Sequence, residues 1–221
     1  MPTYQLTMTG APSARSVSRI QIVAPSLGST RGVAGAAEDR HAARRALAQL
    51  LAPYRQPDGP RLAKRVSGQP YLAFGQTTLA CSLSHSQGWG MAAVADLPIG
   101  VDLEWVKSRQ RALWHVVASE TERTRIRAAV PDGTDALHLT IVWTLKEAVL
   151  KAEGVGLSRL PRGLVVEVCR AERRCLTSRL RDTVTGRSWQ GRTEFGPSST
   201  LVASAVLWES ESNDIPAFSW A

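Results

Sequence analysis

Ile99-Gly100-Val101-Asp102-Leu103-Glu104 and, further along, Trp143-Thr144-Leu145-Lys146-Glu147-Ala148-Val149-Leu150-Lys151 are the stretches on which the reading of this chain turns. In the first, apolar residues alternate with Gly100, Asp102 and Glu104. That is the period of a strand, so both carboxylates leave the same face. The second follows a helical pattern, on which Glu147 and Lys151 share a face. A strand with two carboxylates and a helix with a third carboxylate and an ammonium, brought together, would bind a hard divalent cation and a phosphate at one place. The combination points to phosphoryl-group chemistry. Taken singly, an Asp-x-Glu strand is an ordinary solvated face, and Glu-x-x-x-Lys is an ordinary helix-surface ion pair.

Working outward, residues 135–153 form the strongest helical pattern, with Leu137, Ile141, Leu145, Ala148 and Ala152 as a core-facing stripe that Gly154 and Gly156 terminate. Upstream, a second helix is expected over about 119–129, where Ser119 and Glu122 make a capping box. A third covers 36–52, with Ala36, Ala43, Leu47, Leu50 and Leu51 on one side. Strands are expected at 20–23, 70–75, 77–83, 89–95 and 99–105. Beyond the long helix, 163–207 alternates like an antiparallel sheet, and 209–221 reads as a flexible tail. The order of helix then strands occurs twice, and WGMAAVA at 89–95 has an echo in LVASAVLW at 201–208. This suggests a duplicated α+β unit.

The 221 residues are enough for one large domain or two small ones, and 43% hydrophobic with 21% charged residues is a globular composition rather than a disordered one. No apolar run approaches the ~18 residues of a transmembrane helix, and the N-terminus has no signal-peptide pattern, so a cytoplasmic protein without membrane attachment is expected. The three cysteines, Cys81, Cys169 and Cys175, have no metal-site spacing and suit a reducing compartment. A net charge of +8 attracts polyanions: nucleic acid, acidic membranes, phosphorylated small molecules or acidic proteins. With no aromatic-interleaved basic run, RNP-like motif or zinc-finger spacing, nucleic acid is not expected as a partner.

The two opening stretches, in this order and spacing, closely resemble the signature of the Sfp-type 4′-phosphopantetheinyl transferase family: an apolar-Gly-apolar-Asp segment, then Trp/Phe-Ser/Thr-x-Lys-Glu-x-x-x-Lys, then Gly-x-Gly, here Gly154-Val155-Gly156. Upstream, Gly68-Gln69-Pro70 stands where the family has Gly-Lys-Pro, and Ser82-Leu83-Ser84-His85-Ser86 where it has Asn-x-Ser-His-Ser. Residues 40–47 (RHAARRAL) resemble its early Gly-Arg-x-x-x-Arg helix. The resemblance covers roughly residues 31–157 by motif. It implies an α+β fold of two similar halves related by a pseudo-twofold, each a small antiparallel sheet with helices. The halves would be 1–103 and 104–208, with the ligand site between them.

The resemblance also implies an activity: transfer of the 4′-phosphopantetheine arm of coenzyme A to a serine of an apo acyl or peptidyl carrier protein, releasing 3′,5′-ADP. Asp102, Glu104 and Glu147 would hold Mg2+, with Mn2+ as an alternative. Asp102, Glu147 and Lys151 would be the catalytic set. Glu147 would deprotonate the serine, directly or through metal-bound water, and Lys151 would contact the pyrophosphate and stabilise the leaving group. Ser82, Ser84 and His85 would lie at coenzyme A, Ser84 and His85 on its phosphates. Arg31 and Lys64 (or Arg65) match 3′-phosphate contacts by offset, and Gly68, Gln69 and Pro70 would line the adenine. Gln69 departs from the family's lysine and Ser82 from its asparagine. Trp143 is expected in the core or beside the pocket, and Lys146 in structure or at the carrier surface. Acidic carrier proteins are the implied partners of this basic chain, with residues 106–133, including Trp114, Val116 and Val117, as part of the docking surface. A monomer is expected. Two other classes fit parts of the sequence: a metal-dependent phosphodiester or nucleotide hydrolase using the same carboxylates, and a non-catalytic basic nucleic-acid-binding protein.

Overall fold

The strongest periodicity in the sequence becomes the longest helix, and the second sheet is built around it. The computed structural model describes residues 4–9, 18–25, 36–54, 59–172, 175–196, 200–209 and 217–219. In chain order these form β1 (Tyr4–Thr9), β2 (Ser18–Val23), α1 (Ala36–Leu51), β3 (Arg61–Lys64), β4 (Pro70–Phe74), β5 (Thr77–Ser86), β6 (Trp89–Ala95) and β7 (Ile99–Trp105). There follow α2 (Ala112–Val117), α3 (Glu120–Ala129), α4 (Asp135–Glu153), β8 (Leu164–Glu172), β9 (Cys175–Asp182), β10 (Ser188–Phe195), β11 (Leu201–Trp208) and β12 (Ala217–Ser219). Both sheets are antiparallel. One has the order β12-β1-β2-β6-β5-β4-β3 and the other β7-β11-β10-β9-β8. The α+β class is as the sequence implies. β7 hydrogen-bonds in the second sheet from Ile99 onward, and within the closing residues β12 pairs with β1.

Each sheet carries one long helix, seated where a glycine lets the backbones touch. A Cβ on Gly90 of β6 would lie 2.1 Å from the Ala42 carbonyl carbon of α1, and one on Gly100 of β7 would lie 1.8 Å from the Ala148 oxygen of α4. The glycine of the Ile-Gly-Val-Asp segment is therefore a packing residue: it sets how closely α4 approaches the strand that carries Asp102. α1 covers the first sheet through Ala46, Leu47 and Leu50, packed with Leu72, Cys81 and Ala92. α4 covers the second, its Leu145, Ala148 and Val149 packed with Val166, Leu180, Trp189 and Val202.

The two sheets share a third core. Ile20, Ile22, Met91, Ala93 and Ala95 of the first meet Ile99, Val101, Leu103, Leu201, Ala203, Ala205 and Leu207 of the second. The echo between WGMAAVA and LVASAVLW has its explanation here: β6 and β11 enter the same interface, and alternate alanines allow the sheets to approach. By strand alternation this leaves Gly100, Asp102 and Glu104 on the α4 side of β7, as their spacing implied.

Residues 106–133, expected at a docking surface, turn part of their apolar content inward. Trp114 and Val117, expected at a docking surface, are core residues at 4% and 0% exposure, and only Val116 of the three is exposed. Trp114 packs beneath the Arg123 guanidinium, 5.0 Å from the ring centroid. The reason is α2, which the sequence reading had not resolved: it turns these residues onto α4. The capping box is present, with Ser119 accepting from the Glu122 N–H and Glu122 accepting from the Ser119 N–H. The other carboxylate oxygen of Glu122 accepts from the Val166 N–H at 2.9 Å and from Lys146 Nζ at 2.8 Å. Lys146 also donates to the Val117 carbonyl at 2.6 Å. Both side chains of this pair are sealed from solvent (0% and 1%), so Lys146 is structural and not part of a carrier surface.

Removing one partner of such a pair leaves an uncompensated buried charge. Lys146→Met keeps the volume but strands Glu122, and is expected to cost about 3–5 kcal/mol of unfolding free energy. Urea unfolding midpoints check this. A parent-like midpoint would mean that the pair does not hold α2, α3, α4 and β8 together.

Candidate active site

β7 is the edge of its sheet, bonded on one side to β11 in a register that sets Asp102 opposite Ser204. On the other side its N–H groups meet the face of β5. Ser82 Oγ accepts from Val101 N–H at 3.0 Å, Ser84 Oγ from Leu103 N–H at 3.2 Å, and Ser86 Oγ from Trp105 N–H at 3.2 Å. Alternate residues of one strand thus satisfy alternate residues of the next. The Ser-x-Ser-x-Ser spacing of 82–86 has this first use: it joins the two sheets.

Ser84 does more. Its hydroxyl donates to Asp102 Oδ1 at 2.9 Å and accepts from Lys151 Nζ at 3.0 Å, besides accepting from Leu103 N–H. One donor and two lone pairs are the full capacity of a serine hydroxyl. Lys151 Nζ also reaches Asp102 Oδ1 at 2.6 Å. The strand carboxylate, the helix ammonium and the serine expected at coenzyme A are therefore in direct contact in a site only partly open to solvent: Asp102 is 4% exposed.

The other two carboxylates lie within electrostatic reach. Burial raises the Glu147 carboxyl above the ordinary range, with Asp102 and Glu104 adding to the rise and Lys151 opposing it. Burial likewise raises Glu104, with Asp102 adding, while Arg109, Lys107 and Lys151 pull it down. Arg109 Nη2 contacts Glu104 Oε2 at 3.1 Å, and its guanidinium lies 5.7 Å from the ring centroid of the half-buried Trp143. Sequence reasoning missed Arg109. It sits on an irregular segment after β7, where no periodicity gives it a direction.

The donor chemistry suits a hard divalent cation. Asp102 Oδ2 is buried and without a protein hydrogen-bond partner, which is the kind of oxygen Mg2+ takes. Among the described residues, however, no three His, Cys, Asp or Glu side chains converge as a ready cage. Lys151 engages Asp102, and Arg109 engages Glu104. Asp102, Glu147 and Glu104 could hold a metal once these cations give way.

The remaining expected residues separate. Ser82 serves the rung to Val101, one residue before Asp102. His85 is exposed and alternates with Ser84, so it lies on the opposite face of β5, the face that carries Cys81 toward α1. Lys64, exposed, stands opposite Pro70 at the turn end of the β3–β4 hairpin, whose turn contains Gly68 and Gln69. Arg65 stacks over Tyr71, 5.2 Å from the ring centroid. Gln69 reaches the end of α4, where its amide donates to the carbonyls of Lys151 and Ala152. Arg31 lies outside the described residues.

The class defined so far is an α+β protein whose acidic and basic site groups meet where two antiparallel sheets join. Residues 98–206 match the model of the 4′-phosphopantetheinyl transferase superfamily. A 4′-phosphopantetheinyl transferase of Bacillus subtilis is 32% identical over 103 residues, covering 46% of this chain and 45% of that protein. The 4′-phosphopantetheinyl transferase psf-1 of Bacillus pumilus is 32% identical over 77 residues, covering 35% of this chain and 33% of that protein. The matched segments thus span less than half the length of either curated relative. The likeness to the 4′-phosphopantetheinyl transferase superfamily thus covers residues 98–206, just under half of the chain.

The raised Glu147 carboxyl has a consequence for stability. A carboxyl whose folded pKa exceeds its unfolded value destabilises the fold once ionised, so its contribution falls as pH rises from about 4.3 through the folded value. Glu147→Gln removes that cost. In metal-free buffer its melting temperature is expected above the parent's near pH 7 and convergent with it below about pH 4. Melting curves across pH check this. A variant less stable at neutral pH would show that Glu147 is held by favourable partners instead.

Proposed function

We propose that this chain is a 4′-phosphopantetheinyl transferase acting on carrier proteins, with coenzyme A bound between its two halves, residues 1–103 and 104–208. The observation that carries the reading is the Asp102 carboxylate: one oxygen shared by Ser84 and Lys151, the other buried without a partner, and Glu147 beside it, all but Ser84 within the stretch matched to the superfamily.

In this reading the carrier protein brings the nucleophile, a serine hydroxyl. Its oxygen forms a bond to the coenzyme A phosphorus that carries the pantetheine arm, the bond from that phosphorus to the bridging oxygen breaks, and 3′,5′-ADP leaves. Glu147 takes the serine proton, and its raised carboxyl makes it a better base than an ordinary surface glutamate. Lys151 faces the pyrophosphate and holds the charge that develops on the leaving oxygen. Mg2+, or Mn2+ in its place, would supply neutralisation of the pyrophosphate when held by Asp102, Glu147 and Glu104. Ser84 keeps Asp102 and Lys151 at a fixed separation. The +8 net charge supports steering of acidic acyl or peptidyl carrier domains, with Val116 as an exposed large apolar residue of the 106–133 segment. Among the described residues no helix is long and apolar enough to cross a membrane.

Intact-mass analysis of apo carrier proteins, incubated with this protein, coenzyme A and magnesium, tests the proposal. The expected result is a gain of one phosphopantetheine, abolished by chelator and slowed by roughly 10²-fold or more in Asp102→Ala and Glu147→Ala. Coenzyme A breakdown without any carrier would favour the hydrolase reading. Failure to bind coenzyme A would remove the transferase reading.

A further inference from the structure

We propose that Gln69 is the positioning residue of Lys151: its side-chain amide clamps the C-terminal end of α4 to the β3–β4 hairpin of the first sheet, and so fixes where the Lys151 ammonium sits. The inference rests on the transferase reading, in which Lys151 faces the coenzyme A pyrophosphate.

The last carbonyls of a helix have no partner within it. At the end of α4 the Gly154 N–H takes the carbonyls of Leu150 and Lys151, and the Val155 N–H takes that of Leu150. Gln69 Nε2 adds to these, donating to Ala152 O at 2.9 Å and to Lys151 O at 3.2 Å. A primary amide has two N–H donors, so both are engaged by the helix and neither faces a ligand. The residue is spent on the backbone of the same Lys151 whose Nζ holds Asp102 and Ser84.

The receiving side is shaped for it. Gly154 has φ +72°, the left-handed conformation that ends the helix, and a Cβ there would lie 2.7 Å from Gln69 Oε1. The glycine after the Glu147–Lys151 helix therefore ends the helix and also leaves the slot that the glutamine fills. On the delivering side, the Arg65 N–H bonds to the Gln69 carbonyl and the Gly68 N–H to the Arg65 carbonyl, both at 2.9 Å, which closes the hairpin turn. The clamp thus joins two rigid elements of different sheets. Lysine at this position would present an ammonium to the helix end. Glutamate would set carboxylate oxygens against carbonyl oxygens, at the negative end of the helix dipole.

A double-mutant cycle on coenzyme A affinity tests this, measured by calorimetry with Gln69→Met, Lys151→Met and the double variant. Methionine keeps the length of Gln69 and deletes its donors. Gln69→Met is expected to weaken coenzyme A binding roughly tenfold and to have no further effect in the Lys151→Met background, the non-additivity of a residue acting through another. Gln69→Glu is expected to lose at least as much as Gln69→Met. Additive losses would overturn the inference and leave Gln69 as a ligand contact or a general brace. Full affinity in Gln69→Glu would overturn it as well. If the parent does not bind coenzyme A, the transferase reading itself fails, and this inference with it.

Discussion

The outward edge of β7 is the constraint on which the rest of this structure depends. Its N–H groups at Val101, Leu103 and Trp105 point away from β11, toward a position where a further strand would normally lie. A buried N–H left without a partner costs about 1–3 kcal/mol. The second sheet does not continue there. Instead Ser82, Ser84 and Ser86 bring hydroxyls to the three groups, because both strands advance ~3.3 Å per residue and expose alternate residues. A slip of one residue in β5 would present Cys81, Leu83 and His85 instead, with an apolar chain in the middle. The register between the sheets is therefore fixed by polar groups as well as by the alanine-rich core behind them.

That fixed register decides where the chemistry can sit. Asp102 lies between two of the capped N–H groups and shares Ser84 with one of them, so it has little freedom. Gly100, two residues earlier, brings α4 down onto the same strand and with it Glu147 and Lys151. Three carboxylates and one half-buried lysine then occupy a small volume, and two of the carboxyls are raised by burial and mutual repulsion. The protein offsets part of this with its own cations, Lys151 on Asp102 and Arg109 on Glu104. Both are contacts that a divalent ion and a pyrophosphate could take over. A site that is electrostatically incomplete in this way is a common property of functional sites.

Much of this was legible in the sequence, and the legible part is that governed by periodicity. The spans of α1, α4, β6 and β7 follow from spacing alone, and the Ser119–Glu122 capping box from four letters. Asp102 and Glu104 on one face needed only the strand period, whereas their meeting with Glu147 and Lys151 was implied by the family resemblance. The elements missed are short or rest on partners remote in sequence. β3 is four residues of hairpin edge, and α2 is six residues with no side-chain N-cap bond. Its Trp114 and Val117 read as surface candidates because nothing local showed that α4 would cover them. Arg109 and the Gln69 amide were invisible for the same reason: their partners lie across loops, and side-chain direction outside regular elements has no period. His85 is placed by the same alternation. It adjoins Ser84 in the motif, and strand alternation sends it to the other face.

The two lysines of α4 show how one helix keeps structural and chemical roles apart. Lys146 and Lys151 are five residues apart, so at ~3.6 residues per turn they project on well-separated sides. Lys146 points into the knot of α2, α3 and β8, where Glu122 and the Val117 carbonyl satisfy it and solvent never reaches it. The desolvation of such an ammonium is repaid only because its partners are fixed, so it is unsuited to binding anything that must leave. Lys151 stands at the last turn, where the left-handed Gly154 ends the helix, and its side chain is 29% exposed. Its partners, a carboxylate and a hydroxyl, are ones that a phosphate can share or replace. The Lys-x-x-x-x-Lys spacing thus places one charge where the fold consumes it and the other where a ligand can reach it. The second is carried by a helix that the first helps to secure.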